Sequence, residues 1–375
     1  MVSSINHPVS WRARWVEWRN RLLSSPRFQH FATRFALTRP IARRRARGLF
    51  DLVAGFTYSQ ILAACIETRL LEVLAGHPLN TVTLAAQLGL PVESADRLLR
   101  AAAALKLVER LGEAWTLGSH GAALQGNPGI AEMVAHHHLL YADLADPVAL
   151  LRRGGGGGAL SRHWHYAEST GSGDAAAVAP YSALMAASQP MVARQAIDAY
   201  RFDRHRSLLD VGGGEGAFLC AVGARVPNIA LALFDLPAVG ERARHRVESA
   251  GLMPRSTIYS GDFLVDPLPP GHDLVSLIRV LHDHNDAPAL ALLRAIHAAL
   301  PPGGTVFIAE PMTQTPGAER AGDAYFGFYL LAMGSGKPRS PSEIITLLRA
   351  AGFSDVRLRR TGMPLTTRVI TATRP

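Results

Sequence analysis

Ser207-Leu208-Leu209-Asp210-Val211-Gly212-Gly213-Gly214-Glu215-Gly216 decides the fold. The residues up to Val211 read as a short apolar strand, the glycines as a tight turn, and Ala217 to about Arg225 as a helix. A nucleotide-binding α/β sheet opens in this way. Small residues suit the turn: a side chain at Gly212 or Gly214 would hold a ligand off the helix N-terminus, where unpaired N–H groups favour polar or anionic groups. Further along, the apolar run Ile229 to Phe234 ends in Asp235, placed to accept both hydroxyls of a ribose. Ile258-Tyr259-Ser260 leads into Gly261-Asp262-Phe263, and Leu274 to Ile278 into Arg279-Val280-Leu281-His282-Asp283. Thr305 to Ala309 ends in Glu310. These five candidate strands each deliver polar residues at their carboxyl end, where open α/β sheets bind ligands.

Two cofactors can use such a sheet. A nicotinamide dinucleotide fits Gly212, Gly214 and Ala217, with Asp235 on the ribose. A methyl donor accounts for more residues: Asp210, Asp235-Leu236-Pro237, Gly261-Asp262-Phe263 and His282-Asp283. On these residues the segment from about 181 to 375 resembles the class I S-adenosylmethionine-dependent O-methyltransferases, which include plant phenolic enzymes and bacterial natural-product enzymes. The resemblance implies a Rossmann-like α/β catalytic domain. It implies S-adenosylmethionine held by Asp210, Gly212, Gly214, Asp235, Leu236, Asp262, Phe263 and Arg279, with Met185 and Ser188 on a helix, Tyr181 to Gln189, that leans over it.

A chain of 375 residues exceeds one typical core, and 48% hydrophobic with 18% charged residues is a globular composition. No run of about 18 uncharged apolar residues occurs, so no transmembrane helix is expected, and the N-terminus lacks the pattern of a signal peptide. Cys65 and Cys220 lie in apolar helical patterns and suit buried thiols in a reducing cytoplasm. The net charge of +9 is uneven: residues 1–50 carry eleven arginines against Glu17, a net +10, leaving −1 for the rest. Trp11, Trp15, Trp18 and Leu22 recur on one helical face among Arg12, Arg14, Arg19 and Arg21. Such an arm, residues 1–47, suits peripheral contact with an anionic membrane; packing of the Trp face on a partner subunit is the alternative. Nucleic acid is not expected, because no readout motif accompanies Arg43-Arg44-Arg45.

Residues 48–180 read as mainly helical. Thr83 to Leu90 and Pro91 to Arg100 form two helices, and Val108 to Arg110 with Ala114 to Leu117 a two-stranded wing. A DNA-binding regulator would use this winged-helix pattern, with Arg97 and Arg100 toward the major groove. The family resemblance instead implies a winged-helix-like dimerisation domain and a homodimer, with residues 181–375 as the catalytic domain. Gly154 to Gly158 reads as a flexible loop. Histidines at 136–138, 163, 165, 282 and 284 lack Cys or carboxylate partners at ligand spacing, so no metal is expected.

Methyl transfer to oxygen requires two ligands in line and the removal of one proton. His282, just past the fourth strand, is the candidate base, and Glu310, at the end of the adjacent strand, could accept the other ring N–H and fix the tautomer. The resemblance assigns these roles to both positions. It also exposes a departure: where plant-like enzymes read Gly-Lys-Glu-Arg-Thr, this chain has Gly336-Lys337-Pro338-Arg339-Ser340, so a second glutamate is missing. Asp283 is expected either to compensate for it or to contact the cofactor. Ser340-Pro341-Ser342-Glu343 is a capping box opening a helix, and Asp355 to Arg360 with Thr367 to Thr373 a closing hairpin.

For the acceptor, Tyr325, Phe328, Tyr329 and Met333 lie on an apolar aromatic helix, and Met133 and His137 on another. The arm, Phe50 to Gln60, Phe328 to Gly336 and Met363 to Thr367 together resemble the bacterial hydroxycarotenoid O-methyltransferases of photosynthetic bacteria. That similarity implies methylation of the tertiary 1-hydroxyl of demethylspheroidene or hydroxyneurosporene, in a cytoplasmic enzyme working at the inner membrane. A phenol or polyketide acceptor is the alternative.

Overall fold

The computed structural model describes residues 10–168 and 189–375. The chain divides into two compact units, Met1–His120 and Gly121–Pro375.

In the first unit, Ser10 and Ser25 cap the helices Trp11–Ser24 and Pro26–Arg34 by accepting main-chain N–H bonds. The third helix, Arg39–Glu67, is long and apolar enough to cross a bilayer by length and composition alone. Its early face is exposed, Phe56 by 74%. Strand β1 (Leu79–Asn80) pairs antiparallel with β3 (Ala114–Leu117), which pairs with β2 (Val108–Leu111). This is the expected wing. It packs with the helices Thr81–Leu88 and Val92–Ala104 around buried Leu70, Leu74, Leu84 and Leu99. The Trp115 indole donates to the Thr81 hydroxyl at 3.0 Å.

The second unit is built on a seven-stranded sheet. Its strands are β4 (Ser207–Val211), β5 (Ala230–Asp235), β6 (Ser256–Ser260), β7 (Leu274–Ile278), β8 (Thr305–Glu310), β9 (Ser354–Arg359) and β10 (Arg368–Thr373). They lie in the order β6-β5-β4-β7-β8-β10-β9. The first five are parallel, and the closing hairpin is antiparallel. Because side chains alternate across a strand, Leu209 and Val211 enter one core with Val275, Leu292 and Ile344, while Leu208 enters the other with Phe202, Phe218 and Phe307. With both faces covered, β7 and β8 are buried throughout. Each fully buried Leu or Phe contributes about 1.5–3 kcal/mol of transfer free energy. The helix Pro341–Ala350 carries the predicted capping box, Ser340 with Glu343.

The glycine run is not a flexible loop. Gly156 donates its N–H to Leu331 O at 2.9 Å, Arg153 holds the Gly156 carbonyl at 2.7 Å, and Asp143 caps the next helix through Ala159 and Leu160 N–H. Glycine is needed because the run passes close to Leu331, Gly334 and the Asp143 carboxylate. The helices Pro128–Asp143 and Ala159–Glu168 therefore belong with Phe326–Met333, within the compact unit that begins at Gly121.

Asp210 is wholly buried beneath the glycine turn. Its Oδ1 accepts from the Ser276 hydroxyl at 2.5 Å, and its Oδ2 would lie 2.6 Å from any Cβ on Gly213. It supports the turn from one layer below the ligand surface. Burial pushes its carboxyl up to about 7, with Ser276 pulling it down and Asp235 adding to the rise. The folded state thus holds this proton at pH values where the unfolded chain, near 3.8, has lost it, and stability falls as pH rises from about 4 to about 7. Asp210→Asn should remove that loss. Melting temperatures measured across this range should converge at the acid end, with wild type falling behind the variant toward neutrality; parallel curves would contradict the assignment.

Candidate active site

Because β4 to β8 are parallel neighbours, their carboxyl ends share one edge. At the β4 and β5 ends, Gly212 and Gly214 have φ of +66° and +58°, which favours glycine. They differ in what surrounds them. A Cβ on Gly212 would lie 2.9 Å from Val280 Cγ2 and 3.5 Å from the Phe263 ring, whereas one on Gly214 would meet nothing within 4 Å among the described residues. Gly212 is thus small to admit Val280, and Gly214 is the open position. Asp235 accepts the N–H groups of Gly214 and Leu236, each at 2.8 Å. Burial pushes its carboxyl up to about 6, opposed by those two bonds and by Arg242. Among the described residues each oxygen accepts one such bond, which leaves a lone pair for a hydroxyl.

Asp262 Oδ1 caps its own loop by accepting Leu264 N–H at 2.8 Å, and Phe263 stands edge-on to His284 at 5.4 Å. An open glycine, a carboxylate with spare lone pairs for vicinal hydroxyls and a neighbouring aromatic ring fit an adenosyl group. Met185 and Ser188 lie outside the described residues.

Past β7 the backbone turns sharply. Arg279 has φ +59°, a left-handed conformation that costs a non-glycine residue about 1–3 kcal/mol, and its N–H donates to Ala309 O at 2.9 Å. The one-turn 3₁₀ helix Leu281–Asp283 follows and carries His282, which is buried. The ring Nε2 is 3.1 Å from Asp283 Oδ1. Glu310 does not meet the ring as expected: its Oε2 accepts the main-chain N–H of His282 at 3.1 Å. The turn presents that N–H to the end of β8. His282 Nδ1 and Glu310 Oε1 are both buried and have no hydrogen-bond partner among the described residues. Burial pushes the imidazole down, but Asp283, and then Glu310, outweigh it and hold His282 above its ordinary value, with Arg279 opposing. Burial raises the Glu310 carboxyl against the pull of His282 and Arg339.

His282 and Asp283 open onto a pocket lined by Met133, Arg279, Tyr325, Phe326, Tyr329 and Leu330. Of the expected acceptor residues, Met133, Tyr325 and Tyr329 are in its wall. His137 stands behind it, 2.7 Å from the Tyr325 hydroxyl, and His136 is paired with the Tyr329 hydroxyl at 3.0 Å. Met333 is core, among Leu140, Leu150 and Leu160. Phe328 points elsewhere and is 38% exposed. The sequence could have shown this, since at 100° per residue 325, 326, 329 and 330 share an arc that excludes 328. A π-helical stretch, Arg320–Tyr325, precedes the helix Phe326–Met333 and sets its rotation.

Arg339 was not among the candidates. It is a fully buried side chain, directed at the turn that carries His282. A lone arginine in a loop gave no signal of this.

An O-methyltransferase domain family matches residues 141–354, and an O-methyltransferase dimerisation domain family matches residues 50–120. The demethylspheroidene O-methyltransferase of Cereibacter sphaeroides is 44% identical over 95% of this chain and 94% of that protein. The enzyme of the same name from Rhodobacter capsulatus is 41% identical over 96% and 90%. Crystalline human N-acetylserotonin methyltransferase in complex with S-adenosylmethionine (SAM) shares the fold, with a TM-score of 0.72 at 24% identity over 88% of this chain and 97% of that one. With domain families matched in both units and full-length relatives at this identity, the chain belongs to the S-adenosylmethionine-dependent O-methyltransferase family.

Proposed function

We propose that this enzyme methylates the tertiary 1-hydroxyl of an acyclic hydroxycarotenoid, with His282 as the general base. The observation that carries the chemistry is the pairing of the buried His282 with Asp283 in the wall of an aromatic pocket. The names of the two relatives at 44% and 41% identity support the acceptor. When bound, S-adenosylmethionine supplies an electrophilic methyl group. Gly214, Asp235, Leu236, Asp262 and Phe263 would hold its adenosine half, with Arg279 at the edge of the pocket. His282 accepts the acceptor's hydroxyl proton. Asp283 stabilises the resulting imidazolium in place of the glutamate that Pro338 replaces, and Glu310 fixes the backbone from which the ring projects.

The balance of charges around the base favours an alcohol. A phenol, with pKa about 10 by the tyrosine reference, ionises readily, whereas a tertiary alcohol demands a stronger acceptor. The carboxylate-flanked His282 is stronger than an ordinary imidazole. Labelled S-adenosylmethionine offered with hydroxycarotenoid and phenol panels tests this directly, and methylation confined to phenols would overturn the acceptor assignment.

The unit Met1–His120 serves a homodimer, in line with the dimerisation family matched there. Its arm collects the acceptor from lipid: Trp11, Trp15 and Trp18 are exposed, Trp11 by 81%, among the arginines of the same helix.

His282→Gln should lose about 10²- to 10⁴-fold in turnover while still binding S-adenosylmethionine. In wild type, activity should rise with pH through a limb above the ordinary imidazole value of 6.5, because the base must be neutral. Asp283→Asn should move that limb to lower pH. A rate profile in which neither variant moves turnover or limb rules His282 out. For the arm, replacing Trp11, Trp15 and Trp18 by Ala should abolish cosedimentation with anionic vesicles, as should high salt; unchanged partitioning would refute membrane contact.

A further inference from the structure

We infer that Arg339 is the positioning residue of the base: it holds the turn carrying His282 and Asp283, and its loss slows methyl transfer through His282. This rests on the reading of His282 as the base. A single 3₁₀ turn cannot support itself, because its internal bonds are few and poor. Here Asp283 N–H reaches Val280 O at 3.2 Å and His284 N–H reaches Leu281 O at 3.3 Å. The fixing bonds come from outside: Glu310 accepts the His282 N–H, and the segment 336–340 supplies the donors. Lys337 N–H donates to His282 O at 2.8 Å. Arg339 Nη1 donates to Leu281 O at 2.9 Å and Nη2 to His284 O at 2.8 Å. The carbonyls on both sides of His282 are thus tied to one planar guanidinium.

The remaining donors hold the guanidinium itself. Nε and Nη2 both reach Asp286 Oδ1, at 3.0 and 2.8 Å, and Nη1 also lies 3.5 Å from Lys337 O. Asp286 opens the next helix, Asp286–Ala299, so the fork is braced against a rigid element. A fully buried charge is expensive, and an apolar side chain would fill the space at lower cost. An arginine is warranted where a flat fork must reach several oxygens at once, which a lysine's single ammonium on a flexible stem does not do. Gly336 completes the arrangement: a Cβ there would strike the His282 carbonyl, so the segment approaches the turn as closely as backbone allows.

The groups facing the His282 ring are Asp283 and Glu310, with Arg279 opposing them and the Phe326 ring at 6.0 Å. Arg339's charge pulls on the Glu310 carboxyl, while its hydrogen bonds set the turn from which the ring meets Asp283. The test is a double-mutant cycle on the full-length enzyme. Arg339→Met should lower kcat by about 10²-fold, the cost of misplacing a reacting group by about 1 Å, and leave S-adenosylmethionine affinity unchanged. Added to His282→Gln it should cost nothing further, since both act on one step. Arg339→Lys keeps the charge beside Asp286 and guards against misfolding of the methionine variant. It should show an intermediate loss in kcat, an unchanged KM for S-adenosylmethionine and an acid limb displaced to lower pH as the His282–Asp283 contact loosens. An equal loss in both backgrounds, or wild-type kcat in Arg339→Lys, would overturn the proposal. Near-normal turnover of His282→Gln alone would fail the base reading before Arg339 is touched, and the proposal with it.

Discussion

Removing charge from water at one edge of the sheet is the constraint that organises the catalytic unit. Asp210, Glu310, His282 and Arg339 are all buried, and each is accommodated differently. Asp210 takes a hydroxyl bond, and burial holds its proton well above the ordinary carboxylate range. Asp235 is held by two main-chain N–H groups. Glu310 has one such bond and lies within the field of His282 and Arg339. Arg339 has a carboxylate and carbonyls. In a low dielectric these interactions are strong and an unmet group is costly, so the loops of this edge have little freedom to move independently.

That constraint explains what the sequence could and could not reveal. Parallel strands covered on both faces must be continuously apolar, and their ends must carry whatever is polar. The strands ending at Val211, Asp235, Ile278 and Glu310 were therefore legible, as were the wing, the capping box at Ser340 and the closing hairpin. The direction of a side chain past a strand end was not. Glu310 reads equally well as a partner for the His282 ring or for its backbone, and only the path of the 281–283 turn decides between them. Gly154 to Gly158 looked unstructured because low complexity hides close packing: the glycines are there to admit Leu331 and Asp143. Arg339 was invisible because the carbonyls it gathers are more than fifty residues away in sequence.

The acceptor wall follows the same logic. Tyr325 and Tyr329 would each bring a hydroxyl to an otherwise apolar surface, and each is paired with a histidine from the helix behind. Burial, and secondarily the neighbouring histidines, push His136 down to about 4, and burial lowers His137. Both rings are therefore neutral at ordinary pH and available as acceptors or donors to the phenols. A wall whose hydroxyls are already satisfied suits a hydrocarbon chain better than its raw composition suggests.

The apolar face of Arg39–Glu67, with Leu49, Phe50, Leu52, Val53 and Phe56 all exposed in the single chain, bears on how the enzyme behaves as a material. Were a second copy to cover that face, folding and association would be one linked equilibrium. Apparent stability would then rise with protein concentration by mass action, and dissociation would hydrate apolar surface with an increase in heat capacity. A dilute stock and a concentrated one would melt at different temperatures, although every bond within the protomer is the same.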